Sequence, residues 1–156
     1  MAMRLGLGVP LAVAFAAAGL LIAQKGAISP DTRKEILRYQ LSTIRADNII
    51  STLPLMTKFF MAQPQAVLTK WATMTPDGMI ASLEKNAQTM AILKSNHLTA
   101  KDYVIGVPAL RMSVWRAEGV PESAKVFASP ANLAFAKANL AQLKPKWEAV
   151  DGAPRP

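Results

Sequence analysis

The chain has 156 residues, of which 51% are hydrophobic and 18% are charged, and 18 Lys and Arg against 10 Asp and Glu give a formal net charge of +8. This balance argues against a disordered chain and is typical of one folded domain. The absence of cysteine and the presence of only one histidine exclude disulfide scaffolds, thiolate metal sites, c-type haem attachment, cysteine nucleophiles and multi-histidine metal sites.

The N-terminal segment has the pattern of an export signal. Arg4 precedes an uncharged apolar run over residues 5–23, and Ala16 and Ala18 form an A-x-A cleavage site. We therefore predict a signal peptide over residues 1–18. The alternative is an uncleaved anchor that extends to residue 23, because this run is close to the ~20 residues that span a bilayer as a helix. Both interpretations predict a periplasmic protein, associated with the inner membrane through a partner or through an uncleaved N-terminus.

The rest of the chain predicts an all-α bundle of about five short, proline-punctuated amphipathic helices over residues 29–150. Three helix starts are marked by a hydroxyl residue that caps the helix and a proline that fits its first turn: Ser29-Pro30, Thr75-Pro76 and Ser129-Pro130. Thr99 with Asp102 marks a fourth start, as a relative of the capping box. These local signals fix where most helices begin.

Apolar residues spaced by three and four positions predict the helical stretches themselves. The stretches lie near 30–45 and 46–62, between Thr75 and Ser95, between Thr99 and Gly119, and from Ser129 through Trp147. Three prolines, at positions 54, 108 and 145, fall inside these stretches and predict kinks or short breaks. Residues 151–156 contain two prolines and a glycine and predict a loose tail.

Motifs for catalysis and metal binding are missing from the sequence. It contains no G-x-S-x-G, H-E-x-x-H, EF-hand, P-loop or dinucleotide glycine pattern. The single imidazole, His97, precedes the helix that starts at Thr99, and we interpret it as a turn residue that binds a helix-end carbonyl. A general base or an axial haem ligand is the alternative. We predict no catalytic, cofactor-binding or metal-binding residue in this chain, which is therefore not expected to be an enzyme on its own.

Basic residues supply the candidates for a binding surface. Arg38 and Arg45 lie on one polar helix face, and Arg111 and Arg116 flank Trp115. Arginine beside tryptophan is enriched at protein interfaces, because both side chains tolerate desolvation. We predict that these five residues contact a larger periplasmic or membrane-associated protein subunit. An anionic membrane surface is a further possible partner, and nucleic acid is not expected, because an exported chain rarely meets it.

Several segments resemble a known class of protein. Residues 98–104 (LTAKDYV) and 129–135 (SPANLAF) resemble small exported all-helical bacterial proteins. Within that class, residues 38–49 (RYQLSTIRADNI) and 106–111 (GVPALR) look most like the small third subunit of bacterial membrane-bound quinohaemoprotein alcohol dehydrogenase, and the similarity covers most of residues 29–143. The resemblance implies a periplasmic accessory subunit that binds and stabilises a large catalytic subunit. That partner carries pyrroloquinoline quinone (PQQ) and haem, and the accessory subunit holds no cofactor.

A different class of function remains open from the residues alone. The interior of a helical bundle can hold a small apolar ligand or haem, and His97 is the one side chain here with the chemistry of an axial ligand. An independent periplasmic helical binding module is therefore the alternative to a docking subunit.

Overall fold

The computed structural model describes residues 28–151, which form seven α-helices and no β-strand. The helices are α1 (Pro30–Arg38), α2 (Thr43–Met61), α3 (Gln65–Ala72), α4 (Pro76–Lys85), α5 (Ala87–Ser95), α6 (Ala100–Ala117) and α7 (Pro130–Glu148). The all-α class is confirmed, with seven helices in this range where about five were predicted. The signal peptide predicted over residues 1–18, and the alternative anchor to residue 23, lie outside the described residues.

The marked helix starts are confirmed by their capping hydrogen bonds. The side chains of Ser29, Thr75, Thr99 and Ser129 each accept a backbone N–H from the first turn of the helix that follows. At α6 the capping box is complete. The Thr99 hydroxyl accepts the Asp102 N–H at 3.0 Å, and Oδ2 of Asp102 accepts the Thr99 N–H at 2.9 Å. Caps are local interactions, so sequence spacing is enough to predict them.

The first two helices are divided at a different place from the one predicted. The apolar spacing put their join at residues 45–46, but α1 ends at Arg38 and residues 39–42 are not helical. Ser42 then caps α2 by accepting the backbone N–H of Arg45. The non-helical residues 39–42 form a short linker between α1 and α2, and two of them, Tyr39 and Gln40, line a surface cleft.

Two further differences raise the number of helices. The stretch predicted between Thr75 and Ser95 is divided at Asn86, whose Oδ1 caps α5 by accepting the N–H groups of Gln88 and Thr89. Helix α3 was not predicted. Kinks or short breaks were predicted at prolines 54, 108 and 145, and the helices are not broken there, because each proline lies inside a continuous helix.

Helix α6 is the centre of the fold. Every residue from 103 to 115 is buried, and α1, α2, α4, α5 and α7 all pack against α6. Trp71 and Trp147 are both buried in the core. None of the helices between residues 28 and 151 is long and apolar enough to cross a bilayer. Because α6 is surrounded on so many sides, only residues at its two ends, such as Lys101 and Arg116, reach the surface.

Candidate functional site

The five residues predicted to contact a partner separate into three places. Arg38 and Arg45 are exposed and line the same surface cleft. Arg111 and Trp115 are buried, with 1% and 3% of their surface exposed. Arg116 is partly buried and donates a hydrogen bond to a backbone carbonyl in the loop after α6. Only the first pair is both exposed and gathered at one site.

Contrary to expectation, Arg111 and Trp115 do not lie on the surface. Nε and one terminal nitrogen of Arg111 donate to the two carboxylate oxygens of Asp151, at 3.2 and 2.7 Å. The rings of Trp115 and Trp147 lie 5.9 and 5.8 Å from the guanidinium carbon. The same tolerance of desolvation that suits arginine and tryptophan to interfaces suits them to a buried ion pair. Asp151, which was predicted to begin a loose tail, is therefore held in the folded domain.

A cleft of about 430 Å³ opens where the end of α1, the 39–42 linker, the start of α2 and the first turns of α6 meet. It is lined by Glu35, Arg38, Tyr39, Gln40, Arg45, Thr99, Lys101, Asp102 and Ile105. We call it the Tyr39 cleft, because this tyrosine forms its wall. The cleft brings Arg38 and Arg45, two of the predicted contact residues, close to side chains whose proximity sequence spacing did not predict.

Two helices that are distant from Tyr39 in sequence, α6 and α7, fix its position. Its hydroxyl donates to Oδ1 of Asp102 at 3.0 Å, and its backbone carbonyl accepts the amide of Asn132 at 2.7 Å. The Asn132 side chain is buried and also accepts the N–H of Leu41 at 3.0 Å, so it satisfies two backbone groups of the linker. A Cβ atom at position 106 would lie 2.8 Å from Cζ and Oη of Tyr39, so Gly106 lets the ring lie close to α6. The wall of the cleft is therefore held on three sides.

The two exposed arginines of the cleft differ in how firmly they are held. Arg45 donates to the carbonyl of Gln40 at 3.1 Å, and its guanidinium carbon lies 5.5 Å from the centre of the Tyr39 ring. Arg38 has no hydrogen bond or ion pair from its side chain to any residue of the described range. The cleft thus presents one preorganised guanidinium group and one that is available for a new contact.

The charges that line the cleft leave a positive balance. Its three cations are Arg38, Arg45 and Lys101, and its two carboxylates are Glu35 and Asp102. Lys101 faces Glu35 at 3.2 Å, so that pair is already formed. The net charge of the lining is one positive charge, which favours an anionic group over a cationic one.

Asp102 is held in its ionised form by its hydrogen bonds. Partial burial would raise the pKa of Asp102, but the N–H and hydroxyl of Thr99, the hydroxyl of Tyr39 and the charge of Arg45 outweigh it and keep the pKa below its ordinary value. Burial, and then the neighbouring carboxylate, raise the pKa of Tyr39 well above its ordinary value. The Tyr39 hydroxyl therefore stays protonated and remains a donor.

The variant Tyr39→Phe tests this hydrogen bond. It removes one donor to the carboxylate, so we expect the pKa of Asp102 to rise, measured by an NMR titration of the side-chain carboxyl carbon. Because the folded state lowers this pKa, the stabilisation is present above about pH 5 and is lost as the pH falls through the folded-state pKa. The loss of unfolding free energy should accordingly be larger at pH 7 than at acidic pH.

The matched control for this prediction is Tyr103→Phe. Tyr103 is buried next in sequence to Asp102, and its hydroxyl has no hydrogen-bond partner within residues 28–151. Removal of that hydroxyl should leave the pKa of Asp102 unchanged. An equal response to the two variants would contradict the assignment of the donor to Tyr39.

His97 lies at a helix end, as the interpretation of it as a turn residue expects. It is exposed and has a positive φ of 55°, in the position after the α5 cap that usually favours glycine. Its backbone N–H donates to the carbonyl of Lys94 at 3.0 Å, and the N–H of Leu98 donates to the carbonyl of Leu93 at 2.9 Å. Among the described residues no three His, Asp or Glu side chains group closely enough to hold a metal ion.

Sequence reasoning missed most of the cleft wall. Asp102 was interpreted only as a cap, whereas its other oxygen binds Tyr39. No role of their own was predicted for Asn132 and Gly106; both lie in the short segments that carry the resemblance. Nothing in a single sequence shows that residues 39, 102, 106 and 132 meet.

No family model, curated protein or solved structure matches this chain. A functional proposal for this chain therefore rests on the residues of the Tyr39 cleft.

Proposed function

We propose that this chain is an exported, non-catalytic accessory subunit that docks on and stabilises a larger membrane-associated periplasmic enzyme. A quinohaemoprotein alcohol dehydrogenase, with PQQ and haem in its large subunit, is the first candidate for that enzyme. The observation that carries the proposal is the Tyr39 cleft, in which Arg38 and Arg45 are exposed and have no carboxylate partner among residues 28–151. Exposed arginines on a fixed wall are the kind of residue that binds a partner through charge-assisted hydrogen bonds.

The architecture around the cleft supports docking. Its wall is fixed by the hydrogen bond that the Tyr39 hydroxyl donates to Asp102 and by the one that Asn132 donates to the Tyr39 carbonyl, so the arginines project from a wall that is ordered before a partner binds. Preorganisation of this kind lowers the entropy cost of association. The buried core around α6 supplies the rigid support on which such a surface depends.

Purification from native membranes tests the proposal. We expect the full-length chain, carrying a C-terminal affinity tag, to elute from gently solubilised membranes together with a larger protein in a fixed ratio, identified by mass spectrometry. Deletion of the gene for this chain should lower the amount of that protein in the membrane, because an accessory subunit stabilises its partner by mass action.

The outcome that contradicts the proposal is elution of the chain alone, with the level of every larger periplasmic enzyme unchanged by the deletion. A tagged exported protein without a basic cleft is the control for capture by the tag. If the chain elutes alone and gains a haem absorbance band when haem is added, the independent binding module replaces the docking subunit.

A further inference from the structure

We propose that the Tyr39 cleft binds a carboxylate side chain carried on a peptide segment of the partner, with an apolar residue beside that carboxylate packed on Ile44. This inference rests on the proposed function and names the chemistry of the contact. It assigns the ligand of the cleft, which neither the sequence nor the fold states.

The net charge of the cleft lining favours a ligand that carries one negative charge. The three cations and two carboxylates of the cleft sum to one positive charge. A peptide carboxylate brings one negative charge and neutralises the lining. A phosphate dianion brings two, and the second would lie in the field of the Glu35 and Asp102 carboxylates.

The geometry of the arginines suits a carboxylate. A guanidinium group presents paired N–H donors that match the two oxygens of a carboxylate. One terminal nitrogen of Arg45 already donates to the Gln40 carbonyl, and the guanidinium group lies over the Tyr39 ring. These two contacts fix the orientation of the guanidinium group. Arg38 has no side-chain partner within residues 28–151, so its donors are free for the ligand.

An exposed apolar side chain next in sequence to a cleft arginine points to a peptide rather than a small anion. Ile44 precedes Arg45 in the first turn of α2, and 73% of its surface is exposed, the largest fraction among the exposed large apolar residues of the described range. Burial of an exposed isoleucine side chain is favourable, and a small anion has no surface to cover it. A peptide with an apolar residue next to its acidic residue covers both.

Binding of short peptides to the purified full-length chain tests the inference. The probe is acetyl-Gly-Leu-Glu-Leu-Gly-amide, and its isostere with Gln in place of Glu differs only in charge. We expect the Glu peptide to shift the side-chain Nε–H signals of Arg38 and Arg45 in NMR spectra, and the Gln peptide to bind about tenfold more weakly. A peptide with Gly in place of both Leu residues should also bind more weakly.

Variants locate the contact. Arg38→Gln and Arg45→Gln should each weaken binding of the Glu peptide by about tenfold, and Ile44→Ser should lower the preference for the Leu-containing peptide. Lys137→Gln is the matched control, because it removes the same charge from an exposed position on α7 that does not line the cleft. It should leave the affinity within about twofold, since distant surface charges are screened by salt.

Several outcomes overturn the inference. These are equal affinity for the Glu and Gln peptides, an equal loss from Lys137→Gln, or tighter binding of inorganic phosphate or phosphatidylglycerol vesicles than of the Glu peptide. The inference and the proposed function fail separately. If the Arg38→Gln/Arg45→Gln variant still co-purifies with its partner, the inference is wrong and the docking subunit stands. If the wild type purifies alone but binds the Glu peptide through both arginines, the docking subunit is wrong and the cleft chemistry stands.

Discussion

Asp151→Ala should lower the free energy of unfolding by about 3–5 kcal/mol, because it removes the counter-charge of a buried guanidinium group. Arg111 is 1% exposed, the Asp151 side chain is 5% exposed, and two hydrogen bonds join them. Urea denaturation of the wild type and the variant measures the difference. Asp151 follows the last helix of the described residues, where a substitution would ordinarily cost little, so a large loss would show how firmly this residue belongs to the core.

The matched control is Asp47→Ala. Asp47 pairs with Lys146 at 2.8 Å, almost the same distance as the buried pair, but both partners are about half exposed. An exposed pair of this kind is worth about 0–1 kcal/mol. If Asp151→Ala costs no more than Asp47→Ala, water reaches the Arg111 guanidinium and the buried pair does not stabilise the fold.

Replacement of both partners separates the value of the pair from the cost of breaking it. The double variant Arg111→Met/Asp151→Leu removes both charges, and buried pairs replaced by apolar side chains often lose little stability. We expect it to be more stable than Asp151→Ala alone. A double variant as unstable as the single one would mean that Arg111 makes further polar contacts on which the core depends.

The elements that sequence predicted well are those fixed by neighbours. Each confirmed cap joins residues three positions apart, as Thr99 with Asp102 does, so the pattern and the interaction lie in the same few residues. Burial of the apolar stripe on α6 followed from its spacing for the same reason. The division at Asn86 is equally local, and asparagine was a readable cap that the apolar spacing across it obscured.

The contacts that form the cleft wall and the buried ion pair, which sequence did not predict, are fixed at long range. The 39–42 linker is held by Asn132, more than 90 residues away along the chain, and Tyr39 is joined to Asp102 across 63 residues. Arg111 is paired in the core with the carboxylate of Asp151, which lies 40 residues later in the sequence. A single sequence carries no sign of such pairings, so it placed the arginines correctly on helices but could not divide them between surface and core.

The close contact at Gly106 is the second place where a small change should have a large effect. Gly106→Ala would put a Cβ atom 2.8 Å from Cζ and Oη of Tyr39 and 3.0 Å from Cδ1 of Ile49. The ring must move, and its hydrogen bond to Asp102 moves with it. We expect a loss of about 1–3 kcal/mol in the free energy of unfolding, which is typical of overpacking, although alanine in a helix is otherwise favoured over glycine by about 1 kcal/mol.

A double-mutant cycle with Tyr39→Ala isolates the cause. Without the tyrosine ring the two closest contacts of the new methyl group are lost and the third is the flexible end of the Ile49 side chain, so Gly106→Ala should become neutral or stabilising in that background. If Gly106→Ala costs the same in both backgrounds, the ring is not what requires glycine. Because Tyr39 is also the wall beside Arg45, Gly106→Ala should weaken binding of the Glu peptide although position 106 is buried and does not line the cleft. One methyl group would then lower both the free energy of unfolding and the affinity for the Glu peptide, as expected if the packing of α6 sets the shape of the cleft.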